Sequence, residues 1–134
     1  MRKKGKIFIL AMCVCMLMSG MTVFASTVKY TITVNKTATG QDNLSKKTYK
    51  DSNSAQYFCV TPTYFNTSNA AFFAFSQQKN GSACSSEIYV ENGINEERTG
   101  YYSGSAPCGV YYYMQTRYGY SSTGTVKSEG TYTP

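Results

Sequence analysis

The sequence feature that most constrains the fold is a succession of short segments in which apolar and polar residues alternate. In residues 27–34 (TVKYTITV) the even-numbered positions are apolar or aromatic and the odd-numbered ones are polar. A period of two is typical of a β-strand that has one buried and one solvated face. Similar β-type segments occur at residues 56–60, 70–78, 83–91, 98–103, 108–117 and 125–132.

Composition explains which side chains fill the core of such strands. Leu44 is the only leucine after residue 25, whereas all 13 tyrosines lie in that part of the chain. Tyrosine, threonine and valine suit a pleated, half-buried surface better than a helix. About seven short strands with turns roughly every 8–12 residues predict an all-β protein, an antiparallel β-sandwich, with a small β-barrel as the alternative.

The first 25 residues have the three zones of a bacterial secretory signal. A basic start with Arg2 is followed by an apolar run over residues 7–18, and Val23 and Ala25 supply the residues that signal peptidase requires. Twelve apolar residues reach only about 18 Å as a helix, short of a hydrocarbon core of about 30 Å. We therefore expect cleavage of residues 1–25 and a secreted, extracellular domain over 26–134 that does not span a membrane.

Charge and missing residue types exclude several functions. Four of the 13 basic residues lie in the N-terminal segment, which leaves nine against seven acidic residues. A domain so close to neutral lacks the clustered lysines and arginines that grip a phosphate backbone, so no nucleic-acid partner is predicted. The chain has no histidine, which excludes His-based general bases, Ser-His triads and the usual zinc sites.

No catalytic constellation is visible either. Ser76 and Lys79 have the S-x-x-K spacing of serine acyl-transferases, but they run into a turn at Asn80-Gly81 instead of lying on a helix. Glu96 and Glu97 are adjacent and would point to opposite faces of a strand, whereas a glycosidase needs two facing carboxylates. The prediction is a protein that is not an enzyme and has no catalytic residues, cofactor or metal.

Turn residues set the expected pairing of two segments. Asn-Gly between β-type runs is a strong signal for a two-residue hairpin turn, and a turn at Asn80-Gly81 would place Phe73 opposite Ile88. Residues 35–54 are polar and are predicted to form a long loop, while Pro62 is expected to end the strand that begins at residue 56.

Three cysteines remain after residue 25, namely Cys59, Cys84 and Cys108. Export permits disulfide bonds, and an odd number leaves one thiol over. Cys84 and Cys108 both start predicted strands on the expected core side, so a Cys84–Cys108 disulfide is predicted. Cys59 is then expected to be a buried free thiol, with a bridge to another chain as the alternative. Such a cross-link would contribute roughly 3 kcal/mol.

The densest cluster of tyrosines lies in residues 101–120, where seven of the twenty residues are tyrosine. Pairing segment 98–103 with segment 108–117 through Ser103 and Cys108 would point Tyr112 and Met114 inward. Four side chains would then share the outer face, where aromatic rings can stack on sugars or on partner side chains. This predicted binding face for a cell-wall glycan or a surface protein comprises Arg98, Tyr102, Tyr111 and Tyr113. The alternative is that tyrosine replaces leucine as core filler and coats the sheet without binding a ligand.

In layout, the chain resembles small secreted β-proteins of Gram-positive bacteria, some of them grouped near the lactococcin-972-type bacteriocins. The resemblance rests on a short signal, a mature part of about 100 residues and a final strand that ends Glu129-Gly130-Thr131-Tyr132-Thr133-Pro134. It involves no specific motif, and the histidine and tryptophan of the bacteriocins are missing here. The resemblance implies a bacteriocin-like antimicrobial protein as the alternative to a binding module, and it assigns no functional residues.

Overall fold

A computed structural model describes residues 26–37, 43–44, 48–50, 56–79 and 84–134 of the chain. The predicted signal peptide and the Asn80-Gly81 turn lie outside these described residues. In the described part of the chain, no helix is long and apolar enough to cross a membrane.

The described residues form nine strands in two antiparallel sheets, which confirms the predicted β-sandwich over the small barrel. The strands are β1 (Val28–Asn35), β2 (Asn43–Leu44), β3 (Thr48–Tyr49), β4 (Tyr57–Phe65), β5 (Ala71–Gln78), β6 (Ile88–Glu91), β7 (Arg98–Tyr101), β8 (Tyr111–Tyr120) and β9 (Thr125–Thr133). One sheet has four strands in the order β1-β9-β4-β7. The other has five strands, in the order β2-β8-β5-β6 with β3 also paired to β8.

The two sheets bury their alternate side chains against each other. In β1, Tyr30, Ile32 and Val34 are buried while the residues between them are exposed, as the alternation predicts. Across the sandwich the Tyr30 ring meets the Phe72 ring of β5 edge to face, with centroids 6.1 Å apart. Aromatic side chains therefore supply the apolar contact area that leucine provides in most cores.

Tyrosine can fill this core because its hydroxyl groups find partners there. The Ser76 hydroxyl lies 2.6 Å from the hydroxyls of both Tyr102 and Tyr132, and all three residues are buried. The Tyr112 hydroxyl donates to the Pro107 carbonyl at 3.1 Å. Buried polar groups that are paired avoid most of the cost of leaving water. Ser76 is thus part of a buried hydrogen-bond cluster.

Pro62 does not end its strand, contrary to expectation. Strand β4 continues to Phe65, with a β-bulge between Pro62 and Tyr64. The Pro62 carbonyl accepts a hydrogen bond from the Asn95 amide at 2.7 Å, on the side away from β9. The Pro62 nitrogen points away from β9 as well. Because proline has no amide hydrogen to donate, this orientation means that the β4–β9 ladder loses no hydrogen bond.

The predicted register between residues 70–78 and 83–91 is wrong by one position. Phe72 pairs with Val90 and Phe73 with Tyr89, so Phe73 does not face Ile88. A one-residue slip moves every side chain to the opposite face. Phe72 is consequently fully buried, whereas Phe73 lies half-buried on the outer side.

The predicted pairing of segments 98–103 and 108–117 is also wrong. Strand β7 pairs with β4 in the four-stranded sheet, while β8 lies between β5 and the short strands β2 and β3 in the other sheet. The connection between them holds the fully buried Ala106, whose amide donates to Gln56 Oε1 at 3.1 Å. Glycine, serine and proline suit a link between sheets as well as a hairpin turn, so composition did not separate the two.

The predicted long loop at residues 35–54 contains two short strands. Thr48 and Tyr49 pair with Tyr112 and Tyr111, which places β3 beside one end of β8. The Thr48 hydroxyl donates to the Ser26 carbonyl at 2.7 Å and is buried. This segment therefore extends the five-stranded sheet, and it presents Tyr49 on the outer side.

Candidate functional site

The structure separates the four residues of the predicted binding face. Tyr111 and Tyr113 point outward from β8, as expected. Tyr102 is only 8% exposed and lies in the core, where burial raises the pKa of its phenol and the Lys50 ammonium lies 5.1 Å from its ring centroid. Arg98 belongs to β7 in the other sheet. The prediction is wrong for Tyr102 and Arg98 because it rested on a pairing between strands that lie in different sheets.

The outer face of the five-stranded sheet carries a larger set of rings than the sequence predicted. Cross-strand partners lie on the same face of a sheet, and the register aligns Tyr49 with Tyr111, Gln77 with Tyr113, Phe75 with Gln115, and Phe73 with both Arg117 and Tyr89. We call the aromatic members of this surface the aromatic face. It comprises Tyr49, Phe73, Phe75, Tyr89, Tyr111 and Tyr113.

The rings of the aromatic face are paired at both edges of the sheet. Tyr49 and Tyr111 meet edge to face with centroids 5.3 Å apart, and Phe73 and Tyr89 lie 5.0 Å apart with tilted planes. Tyr49, Tyr89 and Tyr111 are each more than 40% exposed. Ring pairs held in this way offer an apolar surface that loses little conformational entropy when a ligand binds.

Polar groups lie between the rings. The Gln77 side-chain amide donates to Gln115 Oε1, and Gln115 is only 3% exposed. An amide fixed by such a contact keeps its second hydrogen and its other lone pairs in defined directions. Gln77 is the more exposed member of the pair, so its remaining amide hydrogen and its oxygen can bond to a ligand next to the apolar rings.

One ion pair lies on the same surface. The Arg117 guanidinium donates two hydrogen bonds to the Glu87 carboxylate, and its central carbon lies 4.6 Å from the centroid of the Phe73 ring. Hydrogen bonding to Glu87 raises the pKa of Arg117. The pair adds one positive and one negative charge, so it provides directional donors and acceptors without a net charge.

The outer face of the four-stranded sheet is chemically different. Its commonest residue is threonine, at positions 31, 33, 61, 99, 125, 131 and 133. Three exposed tyrosines also lie there, and the threonines outnumber them: Tyr57, Tyr64 and Tyr101. The outer face of the five-stranded sheet carries six rings against three here, and two of the six are the partly buried Phe73 and Phe75. The two outer faces therefore differ in the number of rings and in the polar residues around them.

A polar pocket opens at the edge of the five-stranded sheet beside Tyr89. It has a volume of about 380 Å³ and is lined by residues of the 68–71 and 89–98 segments. Arg98 lies here, with its guanidinium 2.8 Å from the Glu96 carboxylate. The Asn92 side-chain amide donates to the Ser68 carbonyl at 2.9 Å and ties the two walls together. We call this cavity the end pocket.

The remaining sequence-based expectations concern cysteines and catalysis. The predicted Cys84–Cys108 disulfide is not formed in the structure, and Cys59 is not in a disulfide either. Neither residue lies in a strand, contrary to the pairing that suggested the bond. Burial raises the pKa of the Cys84 thiol. Among the described residues, no group of three or more Asp, Glu, Cys or His side chains is placed to hold a metal ion.

Some members of this site were recognisable and others were not. Arg117 continues the outward alternation that begins at Tyr111, so the period-two pattern of β8 could have assigned it. Phe73 and Tyr89 required the correct register of β5 and β6, which the turn signal did not supply. Tyr49 had only its isolation in a polar segment as a signal.

No protein-family model, curated protein or solved structure matches this chain.

Proposed function

We propose that this is a secreted, non-enzymatic binding module of the bacterial cell surface, and that it holds a neutral cell-wall glycan on the aromatic face. The observation that carries the proposal is the concentration of rings on one outer face beside fixed amides and a neutral ion pair. Aromatic rings stack on the apolar faces of sugar rings, and the polar groups beside them can bind hydroxyls.

Charge favours a neutral ligand over an anionic one. Arg117 is already engaged by Glu87 on the aromatic face, and Arg98 by Glu96 at its edge. A surface that binds a polyanion needs cations that are not neutralised by neighbouring carboxylates. These ion pairs therefore favour a polysaccharide of neutral sugars over a phosphate-rich polymer as the ligand.

Secretion is the premise of this proposal, and it rests on the three-zone N-terminal segment. We expect the protein recovered from culture medium or cell surface to begin at Ser26 or within a few residues of it, because Val23 and Ala25 suit signal peptidase. Mass spectrometry of the intact protein and N-terminal sequencing measure this directly. A mature protein that keeps the basic residues 1–6 would contradict it.

Binding to the aromatic face is tested by comparing two exposed tyrosines on opposite sheets. Tyr111 and Tyr101 each pair with a tyrosine of the neighbouring strand, Tyr49 and Tyr57 respectively. We expect Tyr111→Ala to weaken retention on purified cell wall and on soluble neutral polysaccharides about tenfold, which corresponds to the loss of one stacked ring. Tyr101→Ala should leave the affinity unchanged.

Two outcomes would reject this function. Equal losses for Tyr101→Ala and Tyr111→Ala would show that the two outer faces do not differ in binding. Retention that disappears when the wall is treated with protease would indicate a surface protein as the partner in place of a glycan.

A further inference from the structure

The end pocket adjoins the aromatic face, and Tyr89 belongs to both. Tyr89 packs against Phe73 on the aromatic face, and it also forms part of the wall of the pocket. A glycan chain lying across the rings toward strand β6 would reach the pocket at the sheet edge. The two features are therefore placed to bind different parts of one ligand.

The size of the end pocket suits a single sugar ring. Its volume of about 380 Å³ is near the lower end of the range for small-molecule sites, which is about 300–1,000 Å³. The Asn92–Ser68 hydrogen bond joins the two turns that form its walls. A cavity of this size bounded by such walls admits the end of a chain more readily than its interior.

The chemistry of the pocket favours hydroxyl groups. The pocket is lined by two carboxylates, Glu91 and Glu96, and by the Arg98 guanidinium that Glu96 holds in place. A carboxylate accepts two hydrogen bonds side by side, and a guanidinium donates in a fixed planar arrangement. Neighbouring hydroxyls on a sugar ring can use both patterns, whereas an anionic ligand would meet an excess of negative charge.

We propose, on the premise that the aromatic face binds a neutral glycan, that the end pocket binds the non-reducing terminal sugar of that glycan through its vicinal hydroxyl groups. The protein then recognises chain ends, and the rings hold the sugars that follow. Arg98 is on this account a binding residue, although not on the face where the sequence placed it.

Gly93 provides a variant that fills the pocket and spares the fold. A Cβ atom at this position would lie 2.7 Å from Glu96 Oε2 and 2.9 Å from Arg98 Nη2, which are the far ends of flexible side chains. Gly93→Ala should therefore displace the ion pair without moving the backbone. Gly104→Ala is the matched control, because nothing lies within 4 Å of its added Cβ.

Suitable probes are the methyl β-glycosides of two tetrasaccharides, one of β-1,3-linked glucose and one of β-1,4-linked N-acetylglucosamine. In each of them only the non-reducing terminal ring has a vicinal diol, so periodate opens that ring and spares the others. We expect the wild-type protein to bind at least one intact probe about tenfold more tightly than its periodate-treated form. Gly93→Ala and Glu91→Gln should bind both forms at the level of the treated probe.

The face variant separates this proposal from the function on which it rests. Tyr111→Ala should weaken binding of the intact and the treated probe by the same factor, so their ratio is kept. Equal wild-type affinity for intact and treated probes, with Tyr111→Ala weakening both, would overturn the end pocket and leave the aromatic face standing. Failure to bind either probe would also overturn it, and retention on cell wall then shows whether the proposed function survives.

Thermal melts accompany these measurements. Gly93→Ala and Gly104→Ala should unfold at the same temperature as the wild-type protein within a few degrees. A Gly93→Ala protein that is unfolded would leave Glu91→Gln as the deciding variant, since this substitution changes only a charge on an exposed side chain.

Discussion

Replacing Tyr112 by alanine is expected to lower the free energy of unfolding by about 3–5 kcal/mol, as truncation of a large buried aromatic does. The Tyr112 side chain is completely buried, and its ring meets the Tyr102 ring edge to face with centroids 5.4 Å apart. Its hydroxyl also donates to the Pro107 carbonyl and accepts from the Gln78 amide. Truncation would leave a cavity and remove both hydrogen bonds.

Its neighbours in β8 are the controls for this prediction. Tyr111 is 49% exposed and Tyr113 is half-buried on the outer side, so Tyr111→Ala and Tyr113→Ala should cost much less, on the order of 1 kcal/mol or below for the more exposed ring. Denaturant unfolding of the three variants gives the comparison. Equal losses for all three would mean that the outer tyrosines are part of the core and not a binding surface.

Gly130→Ala is expected to destabilise the protein by about 3 kcal/mol through a clash that the backbone cannot relieve. Gly130 lies in the central strand β9, where an added Cβ would overlap the Thr61 carbonyl oxygen and stand 2.8 Å from Pro62 Cα. Both of these atoms belong to the neighbouring strand β4, which β9 must approach to form its ladder. Only glycine allows that approach.

Gly104→Ala again serves as the control, because its Cβ would meet no atom within 4 Å. It should change the free energy of unfolding by less than about 0.5 kcal/mol. If Gly130→Ala melts like Gly104→Ala, strands β4 and β9 do not lie as close as the structure has them.

The sequence predicts which side chains of a strand point to the core where one residue is clearly apolar and another is charged. In β8, Met114 and Arg117 differ so strongly in polarity that only one parity buries the first and exposes the second, and Tyr112 follows Met114 inward. At the end of β7, Tyr101 and the residue after the strand, Tyr102, have the same propensity for either face. Their orientation is decided by the partner strand, because Tyr101 pairs with Tyr57 and its inward neighbour Gly100 pairs with Phe58.

The candidate site was harder to predict than the fold because it is assembled from four strands. Tyr49, Phe75, Tyr89 and Tyr111 come from β3, β5, β6 and β8, which lie side by side only in the finished sheet. Alternation within a strand says which side chains share a face, but it does not say which strands are neighbours. The order of strands depends on long-range packing that no single segment of the chain encodes.

The position of β9 has a consequence for when this protein can fold. Strand β9 is the last of the nine described strands, and it lies between β1 and β4 in the four-stranded sheet. It pairs with β1 on one side and with β4 on the other. A nascent chain that has not yet produced residues 125–133 has no partner for β1, and non-local pairing of this kind is slow to form. If the protein is exported as proposed, this arrangement delays folding of the four-stranded sheet until residues 125–133 have been made. The chain would then still be unfolded, and able to pass through a narrow channel, when the export machinery receives it.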